Sequence, residues 1–140
     1  EEILLPQDLL YLYGYPLNGM YDDVFTLESQ VIEVRDKPSY PVGELGVDAF
    51  GHKPVYIDKG IRRKVLLAMG HLDYCDYKDL IPQDKDVEIL GCSSDHTIMD
   101  VTDAPRTYHV GDIVKFNLIY GTNLFLCHSQ NVQKVFIDEE

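Results

Sequence analysis

Apolar and polar positions in this chain follow a short-strand rhythm. Stretches rich in Val, Ile, Tyr, Phe and Thr recur between Gly, Pro and Asp breakers: Val24 to Val34, Lys64 to Met69, Val87 to Leu90, Thr97 to Thr102, Ile113 to Tyr120 and Val132 to Ile137. In Ile113-Val114-Lys115-Phe116-Asn117-Leu118 the apolar residues fall on every second position, which predicts a strand with one buried face. From Phe25 to Val34 the alternation begins on odd positions and ends on even ones, which predicts a bulge or bend near Val31, as a barrel corner needs. The pattern predicts an all-β, barrel-like domain.

Between these strands lie segments of a different character. Pro6 to Tyr21 carries Tyr11, Tyr13 and Tyr15 with Gly14, Pro16 and Asn18-Gly19, and reads as a turn-rich linker whose aromatics sit at an interface. Gly70 to Asp79 interrupts the strands with acidic and aromatic residues, and is the long loop expected to carry function. His109-Val110-Gly111-Asp112 and Gly46 to Gly51 read as structural turns. There is no initiator Met, and Glu2-Ile3-Leu4-Leu5 reads as the end of an apolar strand, so a piece of a longer protein is expected.

Composition narrows the possibilities. With 140 residues and 45% hydrophobic content the chain can bury one core. Twelve basic against 24 acidic side chains give a net charge of −12, which repels nucleic-acid phosphates and anionic lipid surfaces. No apolar run reaches the roughly 20 residues of a membrane span, so no nucleic acid and no membrane are expected as partners, and a cytoplasmic location is. Cys75, Cys92 and Cys127 lack CxxC spacing and read as reduced thiols. No GxGxxG, P-loop, HExxH or GxSxG motif occurs.

Two clusters carry candidate chemistry. His71, Asp73, Cys75 and Asp76 have the side chains of an acid-base pair or a metal site, or belong to an acidic loop that is simply solvated. Gly91-Cys92-Ser93-Ser94-Asp95-His96 follows the strand ending at Leu90. It is either a place to hold a ligand carboxylate and move protons, or an Asx or Ser turn in which Asp95 caps backbone amides.

The run from Ile89 to Asp103, with Ser93-Ser94-Asp95 and Asp100-Val101-Thr102, followed by Val110-Gly111-Asp112-Ile113-Val114, resembles the carboxy-terminal domain of the alanine racemase superfamily, in particular its ornithine racemase and predicted amino-acid racemase branch. Phe25-Thr26-Leu27-Glu28, Val31 to Val34, Asp48-Ala49-Phe50-Gly51 and Lys134-Val135-Phe136-Ile137 extend the resemblance over most of the chain.

The resemblance implies that residues 1–22 follow the last strand of an amino-terminal (β/α)8 barrel that is not in this chain, and that 23–140 form the carboxy-terminal β-domain. That barrel would carry pyridoxal 5'-phosphate on a lysine outside this chain, and the β-domain would cover the active site of its partner in a homodimer. Gly70-His71-Leu72-Asp73-Tyr74 aligns with the segment whose tyrosine is the second base, which makes His71 the catalytic candidate for moving a Cα proton of an amino-acid substrate. Ser94 and Asp95 align with a segment that contacts the substrate carboxylate, and Asp73 or Asp95 would pair with the ammonium of ornithine or another basic amino acid. The chain alone is then expected to be inactive. The alternatives are a non-catalytic dimerisation domain or a small-molecule-binding β-domain.

Overall fold

The computed structural model describes residues 6–21, 23–43, 46–47, 51 and 55–137. The opening Glu2-Ile3-Leu4-Leu5 and the Asp48-Ala49-Phe50 loop lie outside these residues. The described chain is built mainly of strands that form a curled half-barrel, so the all-β expectation holds. In chain order the elements are α1 (Gln7–Tyr13), β1 (Thr26–Pro38), β2 (Ile61–Leu67), α2 (His71–Tyr74), a 3-10 turn (Tyr77–Asp79), β3 (Ile81–Pro82), β4 (Glu88–Cys92), β5 (Thr97–Asp100), β6 (Ile113–Asn117) and α3 (Tyr120–His128). The sheet order is β3-β6-β1-β2-β5-β4, and every neighbouring pair is antiparallel.

β1 makes the curl. Thr26 to Gln30 pair with β6, whereas Val31 to Pro38 pair with β2, and the register slips between Val31 and Glu33. Leu27, Ser29 and Val31 are buried before the slip, and the alternation is lost after it. The parity change in the sequence is therefore a real bulge, and it turns one strand across two faces of the core. Opposite it, Val114 and Phe116 of β6 are wholly buried, each contributing about 1.5–3 kcal/mol of apolar transfer.

β5 ends where Asp100-Val101-Thr102 turns out of the sheet. Val101 N–H donates to the Arg63 carbonyl, Arg63 N–H donates to Thr102 Oγ1, and Thr102 N–H and hydroxyl donate to Asp100 Oδ1 at 2.9 and 2.7 Å. Arg62 Nε holds the other Asp100 oxygen at 2.8 Å and its guanidinium also pairs with Asp103. Burial opposes ionisation of Asp100, but Arg62 and the Thr102 donors outweigh it and hold the carboxyl below its ordinary range.

Three expectations need correction. Val132 to Ile137 form no strand: no strand pairs with them, and Val135, Phe136 and Ile137 are exposed. Strand β6 stops at Asn117, and the chain enters helix α3, whose first N–H is capped by the Asp8 carboxylate of α1 at 2.9 Å. The Pro6 to Tyr21 segment contains a helix, α1, closed by Gly14 in the left-handed conformation; Tyr11 and Tyr13 on it and Tyr15 just past it are exposed.

Candidate functional site

The two sequence clusters meet. Gly70 is buried, and a Cβ on it would lie 2.3 Å from the Ser94 carbonyl oxygen and 2.4 Å from the Asp95 nitrogen. Its backbone is extended, so this position needs glycine for space, not for conformation. The contact lets the first two amides of α2 reach the β4–β5 turn: His71 N–H donates to the Ser93 carbonyl at 2.9 Å and Leu72 N–H to that of Ser94 at 3.1 Å. The segment expected as a long loop is thus a short helix and a 3-10 turn docked on its neighbour.

Each candidate residue has a definite place. His71 is the first residue of α2 and half-buried, and Leu72 beside it is exposed. Ser94 and Asp95 are exposed on the apposed turn. That turn is closed by Ser93, whose hydroxyl accepts from His96 N–H at 3.1 Å and Asp95 N–H at 3.4 Å, so of the Asx and Ser turns weighed for this segment it is a Ser turn. Asp73 points the other way: it is 7% exposed, its Oδ2 accepts from Gly70 N–H at 3.0 Å and its Oδ1 accepts from the Ser129 hydroxyl at 2.9 Å. The helix ends at Cys75, whose φ of 75 and ψ of −72 make a tight γ-turn, with Asp76 N–H donating to the Tyr74 carbonyl.

Beneath the two turns lies a support that sequence reading missed. Thr97 Oγ1 donates to the Met69 carbonyl at 2.8 Å, and because a hydroxyl has one proton, Tyr74 must donate to Thr97 across their 2.6 Å contact. Burial pushes the Tyr74 phenol well above its ordinary value, and Cys92 and Asp73 add to it. Tyr74 is therefore a fixed neutral donor. Gly70, Tyr74, Thr97 and Ser129 gave no local sign, since their partners are remote in sequence.

The two joined turns carry the half-buried His71 on one side and the exposed Ser94 and Asp95 on the other. Among the described residues no group of three His, Cys, Asp or Glu side chains converges to hold a metal ion, the three cysteines are free thiols, and no helix is long and apolar enough to cross a membrane. No described lysine is buried; Lys64, the most covered, donates to the Pro38 carbonyl. The described residues alone do not fit a cofactor held through a desolvated lysine.

No protein-family model matches the chain. It is 48% identical over 134 residues to an ornithine racemase of Acetoanaerobium sticklandii, a match covering 96% of this chain and 37% of that protein. It is 42% identical over 136 residues to a lysine racemase of Thermotoga maritima, covering 97% and 37% respectively. The chain thus spans little more than a third of the length of these curated relatives. Among solved structures, an alanine racemase from Acinetobacter baumannii superposes with a TM-score of 0.46 and 16% identity, over 76% of this chain and 33% of that one.

Proposed function

Because this chain belongs with the carboxy-terminal β-domains of the fold-type III racemases, the group that includes the ornithine and lysine racemases, we propose that it completes a racemase active site in trans. The observation that supports the reading is the seating of the His71 turn on the Ser94–Asp95 turn through Gly70, which joins by backbone hydrogen bonds the two segments that hold the candidate residues.

In this reading residues 23–140 are the β-domain and 1–22 the passage from an amino-terminal (β/α)8 barrel. That barrel, in the partner protomer of a cytoplasmic homodimer, carries pyridoxal 5'-phosphate on its own lysine. The cofactor acidifies the Cα proton of a bound amino acid. His71 accepts or returns that proton on one face, which is what inversion requires of a second base, and an imidazole exchanges protons near neutrality. The Ser94 backbone faces the substrate carboxylate, and the exposed Asp95 pairs with the side-chain ammonium of ornithine or lysine. Asp73 serves by holding the turn.

A contact role accompanies this. Tyr13, Tyr15 and Tyr21 stand 69, 61 and 78% exposed, more aromatic surface than an isolated domain needs. The test is His71→Phe in the longer protein that carries this chain, with cofactor bound, following loss of the Cα proton from each enantiomer of ornithine, lysine and alanine in heavy water. Selective slowing for one enantiomer is expected. An unchanged rate for both would remove His71 from the reaction and favour a non-catalytic role for the domain, and equal turnover of alanine and ornithine would remove the assignment of Asp95.

A further inference from the structure

A four-residue helix has no stability of its own. α2 keeps its place through outside contacts, and one of these comes from far along the chain. Asp73 closes the turn by accepting from Gly70 N–H with one oxygen, and its second oxygen is held by Ser129, 56 residues away, just past the last residue of α3. The Ser129 hydroxyl is itself oriented: it accepts from Asn131 N–H at 3.2 Å, leaving its single proton for Asp73. The Ser129 backbone is fixed too, its N–H on the Phe125 carbonyl at 3.0 Å and its carbonyl on Lys134 Nζ.

We propose that Ser129 is a positioning residue for the racemisation step, aiming the His71 imidazole by clamping the Asp73 carboxylate that closes the His71 turn. The inference rests on His71 being the proton carrier. Without the Ser129 hydroxyl, a carboxylate only 7% exposed keeps one unpaired oxygen, and regaining a donor means turning away from Gly70 N–H. The turn then loses its closure directly ahead of His71.

The experiment uses the full-length, cofactor-bound protein and measures Cα proton exchange in heavy water separately for the two enantiomers of the substrate it turns over. Ser129→Ala is expected to slow exchange by about 10–100-fold for the enantiomer that depends on His71, and by less than about 2-fold for the other. Ser129→Thr, which keeps the hydroxyl, is expected to restore the first rate to within about 3-fold. Should Ser129→Ala not fold, Asp73→Asn, which keeps one acceptor oxygen and loses the other, is expected to give the same one-sided loss. Equal slowing for both enantiomers, or none, with His71→Phe still one-sided, overturns the role of Ser129 and leaves His71 in place. If His71→Phe is not one-sided, both fall together.

Discussion

Replacing Gly70 by Ala tests the seat on which the site depends. The added Cβ would stand 2.3 Å from Ser94 O and 2.4 Å from both Ser94 C and Asp95 N, all backbone atoms that cannot swing aside. Ordinary contact at about 3.5 Å requires the two turns to part by roughly 1 Å. That stretches the bonds from His71 and Leu72 amides, now 2.9 and 3.1 Å, past useful length. Two lost hydrogen bonds at about 1 kcal/mol each, with about 1–3 kcal/mol of overpacking strain, give a loss of about 3–5 kcal/mol. For a chain of this size that is a fall in Tm on the order of 10–15 °C, readable by circular dichroism. Gly121→Ala is the control: its Cβ meets nothing within 4 Å inside α3, so it should stabilise by about 0.5–1 kcal/mol. A Gly70→Ala protein melting within about 2 °C of the parent would show that the turns do not press on each other, and the site as described would dissolve.

The remaining predictions concern the supports of the fold. Asp100 has its carboxyl lowered in the folded state, so its contribution is present above the ordinary value of 3.8 and is lost as pH falls through the folded value; Asp100→Asn should flatten the acid limb of Tm against pH. Tyr108 donates to Asp84 at 2.7 Å, and burial, reinforced by that carboxylate against the opposing Arg106, pushes its phenol up to about 12. Its contribution is full below the ordinary value of 10.0 and is lost as pH rises toward about 12, so near-ultraviolet titration should show a late tyrosinate step that Tyr108→Phe removes. Cys75, at φ 75, sits where a side chain is strained, and Cys75→Gly should raise stability by about 1 kcal/mol in denaturant unfolding.

What the sequence disclosed was whatever a few neighbouring residues decide. The bulge at Val31 was legible because a change of alternation parity is local, and β6 because Val114, Phe116 and Leu118 take one face by period alone. α3 was not legible: Gly121, Thr122 and Asn123 are weak helix formers, and the helix exists because Asp8 caps it and Leu126 enters the core. Val132 to Ile137 has the composition of a strand without a pairing partner among the described residues, and pairing is not a property of composition. At the site, His71 and Ser94–Asp95 could be singled out, but not their meeting through Gly70, nor the inward turn of Asp73 toward Ser129.

The arrangement also explains why such a domain should discriminate poorly by itself. The groups that set its geometry, Asp73, Tyr74 and Thr97, are buried and bonded, while Ser94 and Asp95 remain in solvent. A carboxylate and an ammonium 4 Å apart attract by about 1 kcal/mol in water but by about 4 kcal/mol at an effective dielectric near 20. If Asp95 selects a basic amino acid as proposed, that preference would therefore arise only when another surface covers the rim and removes the water. The exposed Tyr13 at the end of α1 and Tyr15 just past it are well suited to meet such a surface, so on the proposed function substitutions at either should weaken substrate preference in the longer protein without altering the fold of the domain.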